Sequence, residues 1–431
     1  MPDSHLSEFA SRLPDHDADR LPVPLARELI RSAVHSALAP VTESERLPLK
    51  NALGRVLADD VISFINVPAH DNSAMDGYAL CGSHLGEQPV TLRIIGAAYA
   101  GRPYGGLVSP GECIRIMTGA VMPQGCDTVM PNEFVLTETD THVTLPSGKI
   151  NAGDNRRLAG EDLGMGSAAV AQGKILTPAD LGLIASLGIG DINVRRRLRV
   201  AYFSTGDELR SPGEPLDEGC VYDSNRYTLH GMLLRMGCEP IDMGVVKDDP
   251  AALETALRKA CGMADAIITS GGVSAGDADY TRNMMTRLGE VLFWKIEMRP
   301  GRPMAFGHIA SGTDSAWLFG LPGNPVATMV SFYFFARDAL YQLMGATPPD
   351  ALAVTVPSLE NLRKKPGRTE YQRGILSTDA RGVQSVRITG AQGSGILSSM
   401  SQANCMVILN HDQGDVKAGD PVEVMPFHGL L

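Results

Sequence analysis

The middle third of the chain alternates two patterns. RVAYFS (199–204), PIDMGVV (240–246), DAIITS (265–270) and AWLFGL (316–321) are short apolar or β-branched runs of strand length. Between or after them, NRYTLHGMLLRM (225–236), PAALETALRKAC (250–261), YTRNMMTRL (280–288) and PVATMVSFYFFARDALYQLM (325–344) repeat apolar side chains at helical spacing. That order predicts right-handed strand–helix–strand crossovers, hence a doubly wound parallel sheet with helices on both faces over 196–346. Ligands of such sheets bind at the carboxyl ends of the strands, where STGDE, TSGGVS and LPGNP all fall.

The flanks read differently. ARELIRSAVHSAL (26–38) predicts one helix and ESERLPLKNALGRVLA (43–58) a second. From 60 to 150, β-prone runs such as VTLRIIGAAYAG and HVTLP are separated by Gly and Pro, which predicts a β-rich module. Residues 151–195 are mixed and end in a helix after Pro178, with Thr177 as its N-cap. After a linker at TPPDALA (347–353), residues 352–428 give short strands and little helix, which predicts a small C-terminal β-barrel or sandwich. Residues 1–24 read as a flexible extension.

Composition narrows the function. With 431 residues the chain is too long for one core. A net charge of −11 at pH 7 argues against sequence-independent nucleic-acid binding. Seven cysteines without a C-x-x-C pair indicate neither a zinc ribbon nor a disulfide framework, so a cytoplasmic protein with reduced thiols is expected. The N-terminal residues lack the apolar stretch of a secretory signal, and no run is long enough to span a bilayer.

The loops carry the chemistry. Neither the dinucleotide fingerprint G-x-G-x-x-G nor the Walker A pattern occurs after these strands, so an ordinary NAD or ATP site fails. In TSGGVSAGDADY, the Ser270 hydroxyl and the N–H groups of Gly271 and Gly272 suit phosphate oxygens, yet Asp277 and Asp279 bring negative charge to the same loop. A magnesium ion between carboxylate and phosphate reconciles the two; the alternative for Asp279 is a plain helix N-cap. Glu208 and Asp248 follow neighbouring strand ends and reach the same crevice or are solvated loop acids. KIEMRPGRP (295–303) sets Lys295, Arg299 and Arg302 around a Pro-Gly turn, either wrapping an oxyanion or lying on a solvated edge. Pro325 of LPGNP is a helix N1 residue whose helix aims N–H groups at the crevice. Arg373 and Ser394 in the C-terminal module are candidates for a small anion or for surface roles.

Taken together, DNSAMDGYAL, IMTGAVMPQGCDTVMPNE, STGDEL, YDSNR, TSGGVSAGDADYT, RPGRPMAFG and GLPGNP, in this order, resemble the molybdopterin molybdenumtransferase family. This is the MoeA group that includes the E-domain of gephyrin. The resemblance spans roughly residues 25–428. It implies a homodimer with a linking domain (25–59 and 151–195), a β-rich domain (60–150), an α/β molybdopterin-binding domain and a C-terminal β-barrel. It implies Mg²⁺-dependent insertion of molybdate into adenylylated molybdopterin with loss of AMP. Transient contact with molybdopterin-adenylating and molybdoenzyme-maturation proteins is implied too, with no nucleic-acid or membrane partner.

Carried over by motif, Asp76 and Thr118 match cleft residues that the family takes from the partner subunit, and Glu208, Asp248 and Asp279 match its essential acids. Asp279 and Glu208 are the implied metal-organising pair. Arg299, Arg302 and Pro303 align with the molybdate pocket, completed by Arg373 and Ser394; Lys295, Pro322 and Pro325 match further cleft positions. Two departures stand out. The family usually has Lys-Pro-Gly-Lys-Pro at 299–303, where both cations here are Arg, and Ser where this chain has Ala327 followed by Thr328. A non-catalytic pterin-binding scaffold is the alternative function. A nucleotide-cleaving enzyme of the CinA type is a third, disfavoured because such chains lack the DNSAMDGYAL module.

Overall fold

The apolar runs of the middle third assemble into one six-stranded sheet. The computed structural model describes residues 20–37, 41–272, 284–348 and 351–427. Its strands are β1 (Arg199–Thr205), β2 (Glu239–Val246), β3 (Ala266–Ser270), β4 (Gly289–Lys295), β6 (Pro303–Ser311) and β7 (Asp314–Leu321), in the order β2-β1-β3-β7-β6-β4. The two-residue strand β5 (Met298–Arg299) belongs to another sheet. The pairs β2/β1, β1/β3 and β3/β7 are parallel. The pairs β7/β6 and β6/β4 are antiparallel, so the sheet is mixed rather than wholly parallel. The reason is the short Gly312 turn with φ +68°, which joins β6 to β7 directly and leaves no room for a crossover helix.

Alternation along β1 sets the two faces. Ala201 and Phe203 bury themselves with Ile267 and Leu318 against α2 (Pro250–Cys261), whose Leu253, Ala256, Leu257, Ala260 and Cys261 form one helical stripe. Tyr202 points the other way, its hydroxyl 2.9 Å from Nδ1 of His230 on α1 (Asn225–Arg235). Asp249 caps α2 by accepting from Ala252 N at 2.9 Å, with Pro250 at N1. The run 325–344, read as one helix, is α3 (Pro325–Ser331), a π-helical turn over Phe332–Ala336 and α4 (Arg337–Leu343). All five residues of the π turn are buried, and Phe334 stacks on Tyr371 with ring centroids 4.1 Å apart. The extra residue per turn rotates an aromatic face toward the C-terminal module.

That module is the expected small barrel. Strands β8 (Val354–Pro357), β9 (Thr369–Thr378), β10 (Gln384–Ile388), β11 (Cys405–Leu409) and β12 (Pro421–Pro426) run β5-β9-β11-β12-β8, with β10 beside β9. A bridge from Ser358 to Val386 closes the ring around Val356, Val386, Val407 and Val424. One short helix, α5 (Leu397–Gln402), interrupts it.

Two expectations near the N-terminus fail. Residues 1–24 are not an extension throughout: Leu21 is 1% exposed, bridges Ile296, and receives and returns backbone hydrogen bonds with Lys295 and Glu297. Leu21 is apolar and pairs beside Ile296, and Val23 begins a helix, Val23–Ala37; residues 1–19 lie outside the described residues. The second helix expected over 43–58 is instead a strand, Ser44–Pro48, and a 3₁₀ turn, Leu49–Asn51. Pro48 supplies no N–H to a helix, and Gly54 at φ +71° ends the pattern.

The chain divides into two compact units, one holding the α/β sheet and the barrel and a second made of residues 46–53 and 57–193. The second unit is built on a six-stranded sheet in which Gly77–Leu80 pairs with Glu112–Ile116 and Thr128–Pro131. Its helix Pro178–Ser186 carries the expected Thr177 cap as a reciprocal capping box with Asp180. No helix among the described residues is long and apolar enough to cross a membrane.

Candidate functional site

The carboxyl ends of β1, β3 and β7 open into a crevice of about 1070 Å³. Ser270, Gly271 and Gly272 line it from β3, Pro322 and Pro325 from the loop after β7, and Glu208 and Asp248 from the loops after β1 and β2. Arg299, Arg302, Pro303 and, from the barrel, Ser394 line it as well. Eleven candidates from six stretches of the chain therefore share one cavity.

The others are placed elsewhere. Lys295 ends β4 and is not among the crevice-lining residues; its carbonyl accepts from Leu21. Asp76 and Thr118 belong to the second unit, where Thr118 N and Oγ1 both donate to Asp76 Oδ1 at 2.7 Å. Those two bonds hold the Asp76 carboxyl below its ordinary value. Asp279 lies outside the described residues.

The loop geometry corrects part of the sequence argument. Gly271 and Gly272 sit at φ +93° and +70°. A Cβ at Gly271 would meet Thr205 O at 2.6 Å, and one at Gly272 would meet Thr205 Oγ1 at 2.9 Å. The glycines are thus needed for close packing of two strand ends, not only for approach of a ligand. The Gly271 N–H is spent on Leu321 O at 3.0 Å, so it is not available to a phosphate. Likewise, the N-terminus of α3 is partly closed, because Val326 N donates to Ser394 O at 3.0 Å. That bond instead fastens the barrel's GAQGSG loop to the α/β domain. Thr328 does not restore the hydroxyl absent at Ala327: its Oγ1 donates to Pro322 O at 2.6 Å and is wholly buried.

Charge is distributed unevenly. Arg302 Nε is shielded from solvent without a hydrogen-bond partner among the described residues. Arg373 is 1% exposed, yet its partners are neutral: Nε donates to Ser399 Oγ and Nη2 to Gly393 O, each at 3.0 Å. Burial, and then repulsion from Arg299, push the Arg373 guanidinium down to about 10. Arg373 does not line the crevice itself; it lines an adjoining cavity that shares Arg299, Pro300 and Gln392 with it. The five candidate oxyanion residues are therefore split between two neighbouring spaces.

Sequence reasoning passed over Asp223 and Asn225, although YDSNR contains both. Asn225 Nδ2 donates to Ser270 Oγ at 2.7 Å and to Gly323 O at 2.6 Å, stapling the start of α1 to the loops after β3 and β7. Asp223 is 2% exposed and accepts from Ser204 Oγ and Arg226 N through Oδ1, leaving Oδ2 without a partner among the described residues. Their place at the start of a helix was the available signal.

A clasp holds the barrel beside this site. Glu297, two residues before Arg299, receives Arg20 Nε at 3.1 Å and lies 3.0 Å from Nε2 of His411, whose Nδ1 is 2.7 Å from Asp412. Asp412 and then Glu297 hold the His411 imidazole above its ordinary value, against partial desolvation. A raised folded value stabilises the fold fully below about pH 6.5 and ceases to do so as pH rises through the folded value. Thermal midpoints are expected to fall modestly across that window, by less than about 1 kcal/mol of stability, and to lose this component in His411→Gln. A pH profile unchanged by the substitution would show that the clasp contributes nothing.

Similar proteins are known along nearly the whole chain. The MoeA N-terminal region (domains I and II) matches residues 21–188, a probable molybdopterin-binding domain matches 201–342, and the MoeA C-terminal region (domain IV) matches 355–427. A molybdopterin molybdenumtransferase of Haemophilus influenzae is 41% identical over 411 residues, 94% of this chain and 100% of that protein. One from Nostoc sp. is 35% identical over 389 residues, 89% of this chain and 88% of that one. The crystal structure of a molybdopterin biosynthesis moeA protein from Pyrococcus horikoshii OT3 superposes with a TM-score of 0.80 at 26% identity, covering 95% and 100% of the two chains. With the multidomain α/β architecture and the ordered motifs, these matches establish that the chain belongs to the molybdopterin molybdenumtransferase family.

Proposed function

We propose that this chain is a cytoplasmic, homodimeric enzyme of molybdenum cofactor biosynthesis that inserts molybdate into adenylylated molybdopterin, releasing AMP. The observation that carries the reading is the opposition, within one crevice, of guanidinium groups at Arg299 and Arg302 to carboxylates at Glu208 and Asp248. An oxyanion suits the first group, and a phosphate-bound cation the second. Arg373, buried without a carboxylate partner among the described residues, adds positive charge that an anion would offset.

The acids fit Mg²⁺ in one mode. Among the described residues no three acidic, His or Cys side chains converge as a metal cluster. Glu208, with Asp279, would hold it jointly with ligand phosphate, as Mg²⁺ is commonly held. Bound there, it would neutralise charge at the phosphoanhydride. Ser270 and Pro322 would shape the pterin side, and Ser394 with Pro303 the oxyanion side. Asp76 and Thr118 would enter from the partner subunit.

The test is reconstitution: protein, molybdate, Mg²⁺ and adenylylated molybdopterin are expected to yield AMP and active cofactor. Asp279→Asn is expected to lose at least about 100-fold in rate. Bound pterin with no AMP release would favour a scaffold, and an Asp279→Asn variant as fast as its parent would remove that residue from the mechanism.

A further inference from the structure

Two side-chain oxygens in the crevice, Asp223 Oδ2 and Asn225 Oδ1, are shielded from solvent without a hydrogen-bond partner among the described residues. Their residues are 2% and 7% exposed. A buried acceptor without a donor is destabilising, and folded chains hold few of them, so each such oxygen calls for a ligand or a water.

Turning the side chains over does not remove the need. Asn225 Nδ2 faces Gly323 O at 2.6 Å, and a carbonyl only accepts, so Oδ1 must point the other way. Asp223 Oδ1 already accepts from Ser204 Oγ at 3.0 Å and Arg226 N at 3.2 Å, and exchanging the two oxygens would only leave the other one free. The Arg226 guanidinium does not turn to Asp223 but lies 3.4 Å from Asp242 and 3.3 Å from Ser211 Oγ. The two acceptors are anchored on neighbouring strand ends. Ser204, which bonds Asp223, pairs with Ser270, which bonds Asn225, in the parallel ladder β1/β3, so their anchors stand about 5 Å apart.

Such a pair selects by charge. An ionised carboxylate accepts and does not donate, so it repels phosphate and molybdate oxygens and favours O–H or N–H groups. With the phosphoanhydride of the ligand at the Ser270–Gly272 loop, the ribose diol is the donor pair joined most closely to it. Two neighbouring hydroxyls match two neighbouring acceptors, whereas the amino groups of adenine and pterin lie further from the phosphates. We infer that Asp223 Oδ2 and Asn225 Oδ1 recognise the two ribose hydroxyls of the adenylyl group, one acceptor to each. The inference rests on the reading of the crevice as the site of an adenylylated ligand and deepens it: Asp223 discriminates among nucleotides in addition to bonding the first turn of α1.

The test is equilibrium binding, to the full chain with Mg²⁺, of AMP and of dideoxy-AMP, which lacks both ribose hydroxyls. The parent is expected to hold AMP about 100-fold more tightly, since two buried acceptors lose their donors in the dideoxy nucleotide. Asp223→Asn, isosteric and able to keep both bonds of Oδ1, is expected to lose about tenfold in AMP affinity while binding dideoxy-AMP as the parent does. Asp223→Ser keeps an oxygen for the Arg226 N–H and is expected to do likewise, which separates the lost acceptor from any effect of the new amide. Equal affinity of the parent for the two nucleotides overturns the ribose assignment and leaves the crevice reading intact. Equal losses of both nucleotides in the Asp223 variants overturn it as well, making Asp223 a purely structural residue. No binding of AMP to the parent overturns the crevice reading itself.

Discussion

Arg373→Met is expected to leave the chain folded while lowering molybdate-dependent turnover by about 10²- to 10³-fold, the usual effect of removing one oxyanion-stabilising donor. The two halves of this expectation have one cause. A buried arginine held by a carboxylate would cost about 3–5 kcal/mol to remove, because the partner charge is stranded. Arg373 has no such partner among the described residues. Its removal takes one of two donors from Gly393 O, which still accepts from Ile396 N at 3.3 Å, while relieving the desolvation of a cation that Arg299 already repels. Ser399 Oγ keeps its own bond to Ile396 O at 2.6 Å. The net stability change is expected within about 2 kcal/mol of zero. Denaturant titration with steady-state kinetics decides the matter: a large loss of stability with modest loss of rate would make Arg373 a structural residue.

The second large effect lies in the backbone. Gly271→Ala is expected to destabilise the chain by about 3 kcal/mol, combining a left-handed φ with overpacking against Thr205. The added methyl meets a carbonyl oxygen rather than the end of a flexible side chain, so relaxation must move β1 relative to β3, and with it the crevice floor. Activity is expected to fall further than stability alone requires. Gly86→Ala is the control, since nothing lies within 4 Å of its Cβ and its φ is not positive. It is expected within about 0.5 kcal/mol of the parent. Equal stability of the two variants would mean that the Gly271 turn is not under the constraint described.

Much of this architecture was legible because period and punctuation agreed. In 199–270 the β-branched runs, the capped helix after Asp249 and the glycine loops all specify the same parallel crossovers, and the strands form where expected. Where local patterns conflicted, reading failed. ESERLPLKNALGRVLA has helical spacing, but Pro48 and Gly54 outweigh it. Strands β4 and β6 were hidden because a hairpin on a parallel sheet needs only a turn such as Gly312, and a turn leaves a weaker mark than a crossover helix.

The site shows the same division. Residue types and loop order brought Ser270, Glu208, Asp248, Arg299 and Arg302 into one crevice, since all lie at or just after strand ends. Hydrogen-bond bookkeeping was not legible. Nothing in TSGGV or LPGNP reveals that Gly271 N–H goes to Leu321 or that Val326 N–H goes to Ser394. Nor does a sequence show that Arg373 is buried beside neutral partners, because those partners come from residues 393 and 399, brought alongside by barrel closure.

The most direct measurement is a crystal of the full chain soaked with tungstate and adenylylated molybdopterin, with tungsten located by anomalous scattering. The account predicts a tungsten peak within hydrogen-bonding reach of Arg302 and Ser394, with the nucleotide-linked phosphate at the Ser270 loop. A pterin lodged elsewhere, with the crevice empty and no tungsten near any of these arginines, would contradict it.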